Sequence, residues 1–165
     1  MVSRPPSAGV LLFRRDALSS GTPSASGSLE VLLGHMGGPF WAGRDDGAWS
    51  IPKGEYGDDE SPEQAARREF GEELGLPVPD GEWLALGSAR QPRGKVVTIW
   101  AVEGTLDPAD VVPGTFSMQW PPGSGRIETF PEIDRVEWFS LADAARKVVA
   151  GQRVFLDRLT ELLQG

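Results

Sequence analysis

Residues Gly54–Leu76 read GEYGDDESPEQAARREFGEELGL, and the fold is decided in this stretch. Ser61 is a good N-cap, Pro62 suits the first helical position, and Gln64 stands three residues after Ser61 at the capping-box spacing. Gly75 can adopt the left-handed conformation that ends a helix, and Pro77 and Pro79 discourage its continuation. Between these ends Ala66, Phe70 and Leu74 recur every four residues as an apolar stripe. A helix is therefore predicted from Ser61 to Gly75. Glu69, Glu72 and Glu73 fall at i, i+3 and i+4 on an adjoining stripe, where their charges repel. A bound cation relieves that repulsion.

The cation implied is a hard one. Magnesium prefers oxygen ligands, keeps several waters, and is usually held by a few carboxylates together with substrate phosphates. The chain has no cysteine and one histidine, His35, which argues against a thiolate or imidazole zinc site. Three glutamates near an arginine are more often a solvated helix face than a metal site. The complete pattern around them overturns that reading.

The stretch resembles the Nudix box, G-x5-E-x7-R-E-U-x-E-E-x-G-U with U bulky and apolar, at every defined position. The resemblance implies a mixed β-sheet in an α/β/α sandwich and a Mg2+-dependent hydrolase, with Mn2+ as a possible substitute. By position it implies metal binding at Glu69, Glu72 and Glu73, and a general-base role at Glu69. Arg68 would orient a carboxylate, with Glu72 as its partner, and Glu60 would support the metals. Gly54 and Gly75 would be backbone positions, serving close approach and helix capping. The substrate class implied is a nucleoside diphosphate linked to a further group.

Outside the box the residues say less. Trp49-Ser50-Ile51-Pro52-Lys53-Gly54 resembles the W-x-x-P-K-G lead-in of diadenosine and diphosphoinositol polyphosphate hydrolases, which would bring Lys53 to a phosphate. A surface lysine beside an acidic helix explains it as well. Glu132 stands where many Nudix enzymes carry an extra metal or base glutamate, with Glu128 and Glu137 as rivals. Arg126 and Trp120 fall in a long loop that could frame the substrate, through a bidentate phosphate contact and a base stack. His35 reads as a polar residue at a strand end.

Dinucleoside polyphosphates lead as substrate, and ADP-ribose or nucleoside triphosphates are the alternatives. Pro92, sixteen residues beyond Leu76, sits where a proline often marks ADP-ribose hydrolases, but a turn explains it equally. Readings from other classes are a nucleotide-binding module without catalysis, a nucleotide-sensing regulator, and an isopentenyl diphosphate isomerase. The intact box disfavours the first, the short tail the second, and the missing cysteine the third.

The 165 residues, 39% of them hydrophobic, suit a single domain spanning 1–165 with a real core. A net charge of −8 disfavours nonspecific nucleic-acid binding. No signal peptide or membrane-length apolar run is visible, so a cytoplasmic monomer or homodimer acting on a small phosphoanhydride is expected. Strands are predicted at Ala8–Phe13, Leu29–Leu33, Trp49–Pro52, Trp83–Ala89, Val96–Glu103 and Arg135–Phe139. Ser19–Ser28 reads as a low-complexity loop, Asp107–Ile133 as a long irregular segment, and 141–163 as one or two closing helices.

Overall fold

Successive residues of the first strand, β1 (Ser7–Arg15), bury to opposite faces: Ala8, Val10 and Leu12 in one apolar cluster, Leu11 and Phe13 in another. A strand buried on both sides is the centre of a layered sandwich, because each face needs its own cover. The computed structural model describes residues 5–15 and 29–164, so the low-complexity loop at Ser19–Ser28 lies outside it. Three helices supply the cover. On one face α1 (Pro62–Leu74) contributes Ala65, Ala66, Phe70 and Leu74. On the other, α2 (Leu141–Lys147) contributes Ala144, and α3 (Arg153–Gln164) contributes Phe155, Leu156 and Leu159.

The remaining strands are β2 (Leu29–Met36), β3 (Trp49–Ser50), β4 (Lys53–Glu55), β5 (Trp83–Arg90), β6 (Val96–Glu103), β7 (Thr115–Gln119), β8 (Ile127–Pro131) and β9 (Ile133–Ser140). Seven strands form the main sheet, ordered β3-β2-β1-β6-β5, with β4 added on β1 and β9 on β2. Among the described strands only β1 and β6 run parallel, in register from Ser7↔Val97 to Phe13↔Glu103. The sheet is mixed and helices cover both faces, which is the expected α/β/α sandwich.

Because β6 occupies one edge of β1 from Ser7 to Phe13, β2 and β4 share the other. β2 pairs only with Phe13–Arg15 and β4 only with Ser7–Gly9. The end of β2 pairs instead with β3, at Gly34↔Ser50 and His35↔Trp49. β1 and β2 thus part company, and the segment 49–55 fills the gap between them. That gap positions the site.

Two sequence expectations need correction. The strand predicted over Trp49–Pro52 is two short ones, because the chain leaves β2 after Ser50 and joins β1 at Lys53, with Ile51 and Pro52 buried at the crossing. The irregular segment Asp107–Ile133 holds a 3₁₀ turn at Pro108–Asp110 and a two-stranded sheet of β7 and β8. Thr115–Gln119 alternates polar and apolar residues over five positions only, and Ile127–Pro131 (IETFP) shows no such period, so the segment reads as irregular. The α1 helix matches its expectation. Ser61 accepts from the Gln64 amide, the Gln64 side chain accepts from the Ser61 amide, and Gly75 closes the helix at φ +71°.

Candidate active site

The local sequence of α1 puts Glu69 and Glu73 one turn apart, on the side of the helix that faces β4. Gly54 in β4 is what lets Glu69 in: a Cβ there would lie 2.0 Å from the Glu69 carboxylate oxygen. Glu132 reaches the same place from the one-residue connection between β8 and β9. Its backbone is fixed from both sides, donating to the Gly114 carbonyl at 2.8 Å and accepting from the Gly37 amide at 2.9 Å. Glu69, Glu73, Glu132 and Lys53 together line an open cleft of about 520 Å³, walled by Trp41, Phe116 and Ser50.

Electrostatics mark the cleft as unusual. Burial pushes the Glu73 carboxyl up to about 8, with Glu69 and Glu132 adding repulsion and Lys53 opposing it. Burial also raises Glu69, even though Arg68 pulls the other way. The Lys53 ammonium is lowered, again mainly by burial, with Lys95 nearby reinforcing the shift. Carboxylates that resist ionisation beside one another in a cleft are a common mark of a functional site.

Arg68 organises the flank. Its guanidinium clasps both Glu60 oxygens, at 2.7 and 2.8 Å, and also donates to Glu69 at 2.7 Å and Glu72 at 3.1 Å. The Glu60 clasp holds that carboxyl below its usual range. Glu69 is raised despite the same arginine because its side chain is 12% exposed against 21% for Glu60, and burial there outweighs the ion pair.

The donor set suits a hard divalent cation. It is all carboxylate oxygen, it converges on one cleft, and its mutual repulsion is what a cation removes. Among the described residues no three acidic or histidine side chains already enclose a metal-sized space. Arg68 holds one oxygen of Glu69 and one of Glu72.

The sequence-predicted residues separate accordingly. Glu69, Glu73, Glu132, Lys53 and Gly54 meet in the cleft. Glu60 and Glu72 stand beside it on Arg68, and the main partner of Arg68 is Glu60 rather than the expected Glu72. Arg126 and Trp120 are not among the lining residues. Arg126 is exposed and pairs with Glu128 at 3.3 Å, and Trp120 packs edge-on against Phe40 with ring centroids 5.3 Å apart. Their loop closes as a hairpin whose Phe116, not its tip, reaches the cleft.

Sequence reasoning gave no role to Ser50, Phe116 or Trp41, all of which line the cleft, and read His35 as a polar residue at a strand end, where it stands in β2. The alternation in Thr115–Gln119 is the one local signal for Phe116. His35 is buried, with Asp134 Oδ1 2.7 Å from Nδ1 and the Arg44 carbonyl 2.6 Å from Nε2. It ties the loop that bears Trp41 to the strand that follows Glu132.

Comparison with known proteins supplies the family. The NUDIX domain model matches residues 4–159. An RNA pyrophosphohydrolase of Cellvibrio japonicus is 47% identical over 57 residues, 33% of this chain and 34% of that protein. One from Ectopseudomonas mendocina is 43% identical over 56 residues, 33% and 35% of the two chains. This match therefore spans about a third of the length of those curated relatives. Among solved structures, a C. elegans Ap4A hydrolase binary complex aligns with TM-score 0.64 and 20% identity over 96% of this chain and 98% of that one. The NUDIX domain of Shewanella oneidensis NrtR complexed with ADP ribose aligns with TM-score 0.58 and 19% identity over 99% and 90%. The structural likenesses speak for the fold; the family match, running through nearly all the residues that build the sheet, α1 and the cleft, makes this chain a member of the NUDIX domain family.

Proposed function

We propose that the chain is a Mg2+-dependent pyrophosphohydrolase that cleaves a diphosphate linkage in a nucleoside diphosphate joined to a further group, with a dinucleoside polyphosphate as the leading substrate. The observation that carries this reading is the convergence of Glu69, Glu73, Glu132 and Lys53 on one cleft with aromatic walls. The Pro-Lys-Gly lead-in to the box favours the dinucleoside polyphosphate. ADP-ribose and nucleoside triphosphates are the runners-up, and an RNA with a 5′-terminal pyrophosphate joins them because of what the curated relatives are.

A diphosphate carries charge that repels an attacking water, so the site must supply countercharge and a proton acceptor. Divalent magnesium, when bound, neutralises phosphate charge and lowers the pKa of coordinated water. Glu69, Glu73 and Glu132 are the side chains that would hold it. Glu69 is the candidate base, a carboxylate held in the cleft against Gly54 with one oxygen on Arg68. Arg68 steers that carboxylate and balances its charge. Lys53 presents its ammonium to the phosphates from the floor of the cleft, where burial strengthens the attraction. Trp41 and Phe116 offer apolar surface to a base.

The test is a panel of diadenosine tetraphosphate, ADP-ribose, nucleoside triphosphates and 5′-pyrophosphorylated RNA, incubated with magnesium and resolved by chromatography. We expect chelator-sensitive cleavage, reduced at least 100-fold by Glu69→Gln with an unchanged melting temperature. Full activity in that variant would overturn the assignment of Glu69.

A further inference from the structure

Gln152 is 1% exposed and takes no part in the chemistry above, yet its side chain bonds Ile51 and Ser50, the latter a residue of the cleft wall. Its Oε1 lies 2.8 Å from the Ile51 amide. An amide N–H only donates, so this contact fixes the orientation of the Gln152 side chain and turns its nitrogen to Ser50 Oγ, 2.9 Å away. Ser50 therefore accepts from Gln152. Its own proton goes to the Ile51 carbonyl, 2.8 Å away, which can only accept. The hydroxyl of Ser50, a residue lining the cleft, is left with one lone pair and no proton to offer.

Such a group discriminates by hydrogen-bond polarity. A phosphate oxygen is itself an acceptor at neutral pH and gains nothing from Ser50. A donor does gain, and the donors of an adenosine are its ribose hydroxyls and the exocyclic amine of its base. Resting on the nucleotide reading above, we infer that Ser50 is a specificity-determining residue that accepts a hydrogen bond from the nucleoside part of the ligand, and that Gln152 is the positioning residue that sets its polarity. This assigns the Ser50 side of the cleft to the nucleoside and leaves the Lys53 and carboxylate side to the phosphates.

The experiment compares diadenosine tetraphosphate with its 2′,3′-deoxy analogue and with diinosine tetraphosphate, which lack the ribose hydroxyls and the amine respectively. Dissociation constants are measured by calorimetry in chelator, and turnover separately in magnesium. Wild type is expected to bind at least one analogue about tenfold more weakly than the parent, as a site built to pair a donor does when the donor is removed. Ser50→Ala should bring that ratio close to one, and Ser50→Thr, which keeps the hydroxyl, should restore it. Equal affinities in wild type, a ratio untouched by Ser50→Ala, or no binding of any of the three would each overturn the inference. Discrimination in binding without turnover would uphold it and remove the hydrolase reading instead.

Discussion

At the residue scale, the cleft holds negative charge that the fold does not neutralise by itself. Glu73 makes this measurable. Its carboxyl is raised to about 8 in the folded chain, against about 4.3 for a solvated glutamate. Between those values the folded protein keeps a proton that the unfolded chain has released. The contribution is therefore fully present below the unfolded pKa and is lost as pH rises through 8, at up to about 1.4 kcal/mol per pH unit. Metal-free protein should melt at lower temperature at pH 8 than at pH 6, and Glu73→Gln should flatten that slope. Parallel slopes in the two proteins would show that Glu73 ionises freely. The residue scale is also where the sequence was least legible. Ser50 and His35 each have one partner about a hundred positions away, at Gln152 and Asp134, and no local pattern announces such pairs. Glu69 and Glu73 were legible because one helical turn and one motif contain them both.

Elements whose signals are all local could be read, and those that depend on a distant neighbour could not. The cap, stripe and stop of α1 lie within Ser61–Gly75, β1 and β2 announce themselves as continuous apolar runs that are buried, and β6 is an apolar run that alternates half-buried with buried. The break between β3 and β4 is set by which strand each half meets, and β7 and β8 pair only with one another. β5 poses a different problem, since it ends the sheet and leaves an edge for another chain to join. Arg158 of α3 covers part of that edge, donating from Nη1 to the carbonyls of Leu86 and Ser88, both at 2.9 Å. A register shift between Ala85 and Gly87, with Gly87 at φ +81°, kinks the same stretch. Removing the guanidinium frees two carbonyls on a strand that also bears half-buried Leu84. Arg158→Ala should therefore self-associate at concentrations where wild type does not, as read by light scattering on a sizing column. An unchanged scattering profile would mean that the kink alone protects the edge.

At the scale of the whole molecule, two apolar clusters lie on opposite faces of one sheet, and the cleft opens where β1 and β2 separate between them. Each carboxylate thus hangs from a different part of the frame: Glu69 and Glu73 from α1, Glu132 from the connection that the Gly37 and Gly114 backbones hold. A cation shared among them would link α1 to β9 and couple binding to global stability. At a hundred times its dissociation constant a ligand of the folded state adds about 2.7 kcal/mol. For a chain of this size that is a rise in melting temperature of roughly 5–10 °C. Magnesium should produce it in wild type, and Glu73→Gln, which removes a buried oxygen donor from the cleft, should abolish most of it. The informative variant is Glu60→Gln. The Nudix resemblance places Glu60 beside the metals, whereas here both its oxygens are engaged by Arg68 and it does not line the cleft. If that clasp persists on binding, Glu60→Gln loses stability without metal but keeps the magnesium-dependent rise. A rise lost as completely as in Glu73→Gln would mean that Arg68 lets go and Glu60 joins the cation. The size of the magnesium response in this one variant therefore decides whether Arg68 is a fixed strut or a latch.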